Sequence, residues 1–206
     1  CARRGIIVKN PAVLETIATC RTAIFDKTGT LTYGRPRLTD QVIASGFGAA
    51  DVLGLVASLE RYSKHPLAHA ILASAAASGL PLREVTEISE PPGQGMRGSV
   101  GGRVVRITSR GALAKTPVPG ADQIPPHAGG LECFVVIDGR YAATYRFRDE
   151  PRVEGASFIR HLKPRHHFNR LMIVSGDAES EVRYLAEQIG ISEVYAQQTP
   201  EEKVTI

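Results

Sequence analysis

Tryptophan is absent from this 206-residue chain, and only 6 phenylalanines, 6 tyrosines and 2 methionines are present. Its basic side chains are dispersed with no aromatics interleaved among them, so the combination of charge and stacking that marks a single-strand nucleic-acid binder is missing. Cysteine is scarce too. The 3 thiols, Cys1, Cys20 and Cys133, are odd in number and far apart, which excludes a disulfide framework or a paired zinc-ligand spacing and fits a reducing compartment. No apolar run approaches the ~18 residues of a membrane span, and no signal peptide opens the chain. Charge of one sign is not in excess. The 25 basic and 21 acidic residues leave a net +4, which is expected of a solvated surface and makes nucleic acid a poor candidate partner. What is present is an ordinary globular composition, 43% hydrophobic with 20 glycines and 13 prolines, long enough for one large or two small domains.

Hydrophobic periodicity changes twice along the chain. Asn10-Pro11 predicts a capped helix start followed by a short helix with Leu14, Ile17 and Ala18 on one face, leading into a buried strand at Thr22 to Phe25. Tyr33-Gly34-Arg35-Pro36 predicts a break and a first domain crossing. Helices follow at about Ala49 to Glu60, with Val52, Leu55, Val56 and Leu59 in phase, and from His65-Pro66 to a stop at Gly79. From Val85 to Arg146 the pattern becomes short β-like runs, with Asp138-Gly139 as a hairpin turn and an exposed loop over 117–130. After Asp149 helix and strand alternate again: a helix over 153–162, a buried strand over 171–174, a helix over 179–189 ended by Gly190, and a strand over 194–196.

Such alternation predicts an α/β core with a parallel, Rossmann-like sheet that must also include the strand before Asp26. The intervening block reads as an inserted α+β domain on an antiparallel sheet. Expected boundaries are 1–34 and 147–206 for the core and 35–146 for the insertion.

Chemistry concentrates at a few points. Asp26-Lys27-Thr28-Gly29-Thr30-Leu31-Thr32 follows the first strand of the core, at the C-terminal strand end where α/β folds place ligands. Asp26 offers a carboxylate nucleophile, Thr28 and Thr30 offer hydroxyl and backbone groups for a phosphate, and Gly29 allows the tight turn. Ser175-Gly176-Asp177 sits between a strand and a helix. Its hydroxyl and free N–H groups suit phosphate, although the same tripeptide is also a common helix cap. Lys203 could bring a positive charge to a transferring phosphoryl group. Gly93-Gln94-Gly95-Met96-Arg97-Gly98 superficially fits a dinucleotide fingerprint, but β-like segments flank it and no helix follows. His161, His166 and His167 read as a solvated basic loop rather than a metal site, given Pro164 and the many cationic neighbours.

The heptad resembles the phosphorylation motif of P-type ATPases, and the order Asp26, Ser175, Lys203 resembles that of the haloacid dehalogenase superfamily, to which those pumps belong. That resemblance implies aspartyl-phosphate chemistry with Asp26 as nucleophile, Lys27, Thr28, Ser175, Gly176, Asp177 and Lys203 around it, and Mg²⁺ held by Asp26 and the Thr28 carbonyl. Soluble phosphatases of the superfamily carry an acid/base aspartate two residues after the nucleophile, where this chain has Thr28. Without that group an acyl phosphate hydrolyses slowly, as a pump requires.

Leu59 to Ala68 further resembles the His-Pro signature of the heavy-metal (type IB) branch. This implies an ATP site at Glu60, His65, Pro66, Gly93 and Gly95, with Asp149 and Arg152 as an Asp-x-x-Arg hinge. The branch usually has an acidic residue at Lys64 and a Gly-Asn pair where Thr108-Ser109 stand here. By the same resemblance, a downstream Gly-Asp-Gly-x-Asn-Asp magnesium motif, the membrane helices and an actuator domain would belong to the same polypeptide, with the transported metal cation bound in the membrane. Arg3-Arg4 would suit the cytoplasmic flank of a membrane helix. Both ends of the chain are expected to be interior points of a longer protein. A stand-alone phosphatase of the superfamily and a non-catalytic nucleotide-binding module are the alternatives.

Overall fold

The computed structural model describes residues 7–91 and 93–206. Cys1, the Arg3-Arg4 pair and Pro92 lie outside the described residues. In chain order the elements are α1 (Ala12–Thr16), β1 (Thr22–Phe25), β2 (Thr32–Ile43), α2 (Ala49–Glu60), α3 (Pro66–Ala77), β3 (Val85–Ser89), β4 (Met96–Val100) and β5 (Arg103–Thr108). They continue with α4 (Arg110–Lys115), β6 (Leu131–Ile137), β7 (Arg140–Pro151), α5 (Gly155–His166), β8 (Arg170–Val174), α6 (Glu179–Ile189), β9 (Glu193–Tyr195) and α7 (Pro200–Thr205). Two compact units result: Cys1–Tyr33 with Pro151–Ile206, and Gly34–Glu150.

The first unit carries a parallel sheet in the order β1-β8-β9. Phe25 aligns with Ile173, and Ile173 with Val194, so all three strands end together. On α6 the in-phase positions Val182, Leu185, Ala186 and Ile189 are buried against Leu171 and Ile173 of β8, Ile159 and Leu162 of α5, and Leu31. Gly190, at φ 83°, stops the helix in a left-handed cap. Three expectations need correction here. β1 is half-exposed rather than buried, because it is an edge strand: Ala23 and Phe25 pack inward while Ile24 is 52% exposed. The expected apolar face is likewise exposed at Leu14 of α1 and at Ile17 in the tight turn that follows it. The histidines expected in a loop are helical instead, since α5 continues to His166 and only His167 adopts the left-handed end (φ 58°). Among the described residues no group of three His, Cys, Asp or Glu side chains could hold a metal.

The second unit is an antiparallel sheet ordered β2-β7-β6-β5-β4-β3. Helices α2 and α3 cover the face formed by Val105, Ile107, Cys133, Val135, Ile137 and Tyr145. Val52, Leu55, Val56 and Leu59 of α2 are fully buried there, each contributing about 1.5–3 kcal/mol of apolar burial. The expected break at 33–36 is not a break, for β2 runs unbroken through Pro36. Proline is tolerated because β2 is an edge strand, where a missing N–H costs no ladder bond.

The opposite face of the sheet carries Phe134, Val136 and Tyr141, covered by Leu113 of α4. That helix, six residues long, is too short to register as a period in the sequence. Asp138 (φ 51°) and Gly139 (φ 77°) form the expected hairpin turn, with the Asp138 carboxylate accepting from Val104 N at 2.9 Å and Arg103 Nε at 2.9 Å. The 117–130 segment is less free than expected: Pro119 and Pro125 carbonyls accept from Tyr141 N and Arg110 Nη2 at 2.9 Å each. No helix among the described residues is long and apolar enough to cross a membrane.

Candidate active site

In the first unit the parallel register brings three motifs to one edge: Asp26 after β1, Ser175-Gly176-Asp177 after β8, and the 196–203 segment after β9. Asp26 has extended backbone (φ −76°, ψ 150°), and the following five residues make a wide turn that reverses at Gly29, φ 76°. Thr32 ties the turn together, donating its hydroxyl to Lys27 O and accepting from Gly29 N, both at 3.3 Å. From the other side Arg152 donates Nη2 to Gly29 O at 3.0 Å and its main-chain N–H to Leu31 O at 2.9 Å, while its guanidinium stacks 5.1 Å from the Tyr33 ring centroid. Arg152 therefore holds the heptad turn in shape.

Two ion pairs order the charges. Lys203 Nζ donates to Asp26 Oδ1 at 2.8 Å. It is positioned by α7, whose start is a full capping box: Thr199 Oγ1 accepts from Glu202 N, and Glu202 Oε2 accepts from Thr199 N. Lys27 turns the other way, and its nearly buried ammonium meets Asp177 Oδ2 at 2.9 Å. Asp177 also accepts from Ser175 Oγ at 3.0 Å and Thr28 Oγ1 at 3.4 Å. Burial disfavours the charged form of Asp177, but the hydrogen bond and charge of Lys27, with the two hydroxyls, outweigh it and hold the carboxyl below the usual range. The alternative of a helix cap at Ser-Gly-Asp does not hold, because Ala178 is the cap residue and receives no side-chain bond. A side chain at Gly176 would come within 3.3 Å of Gln198 O.

The second unit contains a cleft with two lobes that share Pro91, Gly93, Gly95, Met96, Thr108 and Ser109. One lobe, about 530 Å³, is lined by Glu60, Ser63, His65, Glu90, Glu132 and Cys133 together with apolar Leu67, Met96 and Ile107. Glu60 is 6% exposed and its Oε2 has no hydrogen-bond partner among the described residues. Burial is the main reason its pKa rises from 4.5 to about 7, with the Glu90 charge adding to the rise and a Ser63 hydrogen bond opposing it. His65 has two roles: its Nδ1 caps α3 by accepting from Leu67 N at 3.2 Å, and the residue lines the lobe. A cap that uses Nδ1 as acceptor leaves the ring proton on Nε2.

Glu132 accepts from Arg110 Nε at 2.7 Å and sits 3.1 Å from His127 Nδ1. Burial works against its ionisation, yet those two partners bring its pKa below the usual value. Burial, reinforced by the Glu60 and Glu132 charges, pushes the Cys133 thiol up, so it stays protonated.

A model of the haloacid dehalogenase-like hydrolase family matches residues 20–205. The chain belongs to the haloacid dehalogenase-like hydrolases. Its homologues are heavy-metal P-type ATPases. Copper-transporting ATPase 2 of Rhizobium meliloti (strain 1021) is 35% identical over 209 residues, covering 98% of this chain and 25% of the relative. A solved crystal structure of a zinc-transporting PIB-type ATPase matches with a TM-score of 0.83 at 30% identity, over 99% of this chain and 33% of that one. The catalytic domain of the CPx-ATPase CopB-B, solved in a study of its conformational changes upon nucleotide binding, matches with a TM-score of 0.69 at 31% identity, over 99% and 72%. The chain thus spans about a quarter of the length of the curated relative it matches.

Within this hydrolase fold the residues expected to act together are only partly gathered. Asp26 meets Lys203, and Lys27, Thr28 and Ser175 converge on Asp177. Glu60, His65, Gly93 and Gly95 share one lobe of the cleft. Pro66 opens α3 without lining the cleft. Asp149 is spent on β2, accepting from Arg35 N at 2.8 Å, and Asp149 and Arg152 start no helix, because β7 continues to Pro151 and α5 begins at Gly155. The two glycines also differ. A Cβ at Gly95 would lie 2.0 Å from Ile107 O, whereas one at Gly93 meets nothing within 4 Å. Gly95 is therefore required by the close approach of its loop to β5. Sequence reasoning missed Ser63, Glu90, Glu132 and Cys133 as site residues, for which the sequence gave no signal beyond the β-like pattern of the 85–146 block. It also missed that Lys27 and Asp177 would pair.

Proposed function

We propose that this chain is the ATP-binding and aspartyl-phosphate-forming unit of a heavy-metal-transporting P-type ATPase. The observation that carries the reading is the Asp26 carboxylate at the end of β1, half-exposed and held by Lys203 at 2.8 Å, with Thr28 where a phosphatase would have its acid/base. Asp26 attacks the γ-phosphorus of ATP in line: an oxygen–phosphorus bond forms at the carboxylate, the bond to ADP breaks, and the leaving oxygen carries the electron pair away. Lys203 supplies positive charge to the equatorial oxygens.

The oxygen donors on hand, the Asp26 carboxylate and the Thr28 carbonyl, suit Mg²⁺, which takes one or two carboxylates with phosphate and water and, when bound, neutralises developing charge. In the second unit, the unpartnered Glu60 oxygen, the ring of His65 and an apolar wall fit a flat base that carries an N–H donor, as adenine does. Residues 35–146 are the nucleotide-binding domain in this reading, and 1–34 with 147–206 the phosphorylation domain. The unit works at the cytoplasmic face of a membrane. Transmembrane and actuator domains elsewhere in the polypeptide carry the metal cation and remove the phosphate.

Acid-quenched labelling with γ-³²P-ATP, in a chain extended through the downstream magnesium motif, tests the reading. A hydroxylamine-labile label that Asp26→Asn abolishes is the expected result, and rapid turnover of simple phosphate esters with no trapped label would replace the pump reading with a phosphatase. Titration of the chain with ATP should show weaker binding in His65→Ala; unchanged affinity removes the base-site assignment.

A further inference from the structure

The second lobe of the cleft has a composition opposite to the first. It has a volume of about 650 Å³, and among its described lining residues are Arg97, Arg106 and Lys115 but no carboxylate. Glu60, Glu90 and Glu132 all line the other lobe, which among the described residues has no lysine or arginine. We propose that Arg97 and Arg106 are the polyphosphate-binding residues of this cleft and give it a preference for nucleoside triphosphate over monophosphate. The proposal rests on the nucleotide-site reading above and deepens it.

Register supplies the first argument. Arg97 of β4 and Arg106 of β5 are direct cross-strand partners, their Cα atoms paired in the antiparallel ladder. Their side chains therefore stand together on one face, and like charges directly opposite one another repel. Among the described residues neither has an ion-pair or hydrogen-bond partner, whereas Arg83 and Arg103 pair with Asp51, Arg110 with Glu132 and Arg146 with Asp40. A repelling pair that opens into a cavity is relieved by an anion large enough to bridge both groups.

The second argument comes from the hydroxyls between the lobes. Thr108 donates Oγ1 to Gln94 O at 3.1 Å, fixing the glycine loop, and Ser109 Oγ accepts from Ala112 N at 3.3 Å to cap α4. Thr108 has thus spent its proton within the protein, whereas Ser109, which only accepts, keeps its own. The turn that joins the two lobes thus offers a phosphate one neutral hydroxyl and no charge, so counter-charge must come from the cations of the second lobe, the facing pair Arg97 and Arg106 together with Lys115. A ligand with a neutral base at one end and several negative charges at the other matches this polarity in only one orientation. Its base lies with Glu60 and His65, and its phosphates lie over β4 and β5.

The test is calorimetric titration of the chain with ATP, AMP and adenosine at low and moderate salt, in wild type, Arg97→Gln/Arg106→Gln and Arg97→Lys/Arg106→Lys. The Gln pair should lose about 10- to 100-fold in ATP affinity, keep its adenosine affinity and lose the salt dependence of ATP binding. The Lys pair should retain most of the affinity. A Gln pair that keeps the wild-type ratio of ATP to AMP affinity overturns the proposal, and so does one that loses adenosine and ATP equally. The parent reading is judged separately by His65→Ala, which should weaken adenosine and ATP alike. If His65→Ala weakens both while the arginine variants are silent, only the polyphosphate assignment falls. Failure of wild type to bind either ligand removes both.

Discussion

The two candidate sites handle charge in opposite ways. Around Asp26 the charges form pairs: Lys203 with Asp26, and Lys27 with Asp177, the latter reinforced by the hydroxyls of Ser175 and Thr28. In the second unit Glu60 keeps a buried oxygen without a partner among the described residues, and Arg97 faces Arg106. The difference separates two kinds of site. A paired site is stable when empty and, in the proposed function, must exchange partners when a phosphoryl group arrives, with Lys203 following charge from the carboxylate to the phosphate. An unpaired site is costly when empty, and a ligand that brings the missing partners relieves the cost.

Substitutions can break this contrast. The largest expected effect is steric and marks the point where the cleft is rigid. Gly95→Ala drives a Cβ into the Ile107 carbonyl at a left-handed φ of 84° and should cost about 3 kcal/mol or more in urea unfolding, while Gly93→Ala, with open space around it, should cost only about 1 kcal/mol. Equal effects would show that the loop adapts.

Next, Asp177→Ala leaves the nearly buried Lys27 ammonium unpaired. About 2–3 kcal/mol should be lost, less than for a fully buried pair because Asp177 is itself part-exposed, and hydrogen exchange should place the loss in β1 and β8. A silent substitution would mean that the pair adds nothing to the first unit.

Removing charge from the second unit should do the reverse. The carboxyl of Glu60 holds its proton to about pH 7 in the folded protein, against 4.5 when unfolded. Between those limits the folded state binds more protons, so stability falls as pH rises through the window, and the full penalty is present above it. Glu60→Gln should flatten that slope and make the protein roughly 2–3 kcal/mol more stable than wild type at pH 8; a parallel pH profile would locate the slope elsewhere. The smallest effect belongs to surface pairs that serve neither site. Arg37→Ala breaks a pair with Glu150 that is largely exposed on the Arg37 side and should move the unfolding midpoint by no more than about 0.5 kcal/mol allows.

Much of this could be read from the residues. Periodicity located α2 and α6 to the residue, because their apolar positions recur at helical spacing and face a core. The heptad pointed to phosphoryl chemistry because each of its residue types answers a separate need of a phosphate. What stayed hidden was set by tertiary position. Pro36 reads as a breaker until β2 is known to lie at a sheet edge, and the six residues of α4 are too few to show a period. Nothing local tells Lys27 to turn toward Asp177, far along the chain. Nor does anything local place Arg97 opposite Arg106, which follows from a register fixed only when β4 and β5 pair. Arg152 was noticed, but as a hinge. Its bonds to Gly29 and Leu31 give it a different task.

That Arg152 bond, like the pairing of β1 with β8, joins the start of the chain to a part made much later. The 34–150 unit is continuous and has every partner it needs once β7 is complete, whereas Asp26 leaves the ribosome well before the strand beside it. At roughly 5–20 residues per second, the segment that carries Asp26 waits something like 7 to 30 s for β8. Throughout that interval its apolar Ile24 and Phe25 are newly synthesised and unpaired. β1, made long before its partner, is thus among the last strands of its unit to be secured, and a released chain that ends before residue 170 should resist protease over 34–150 while Asp26 stays open to cleavage.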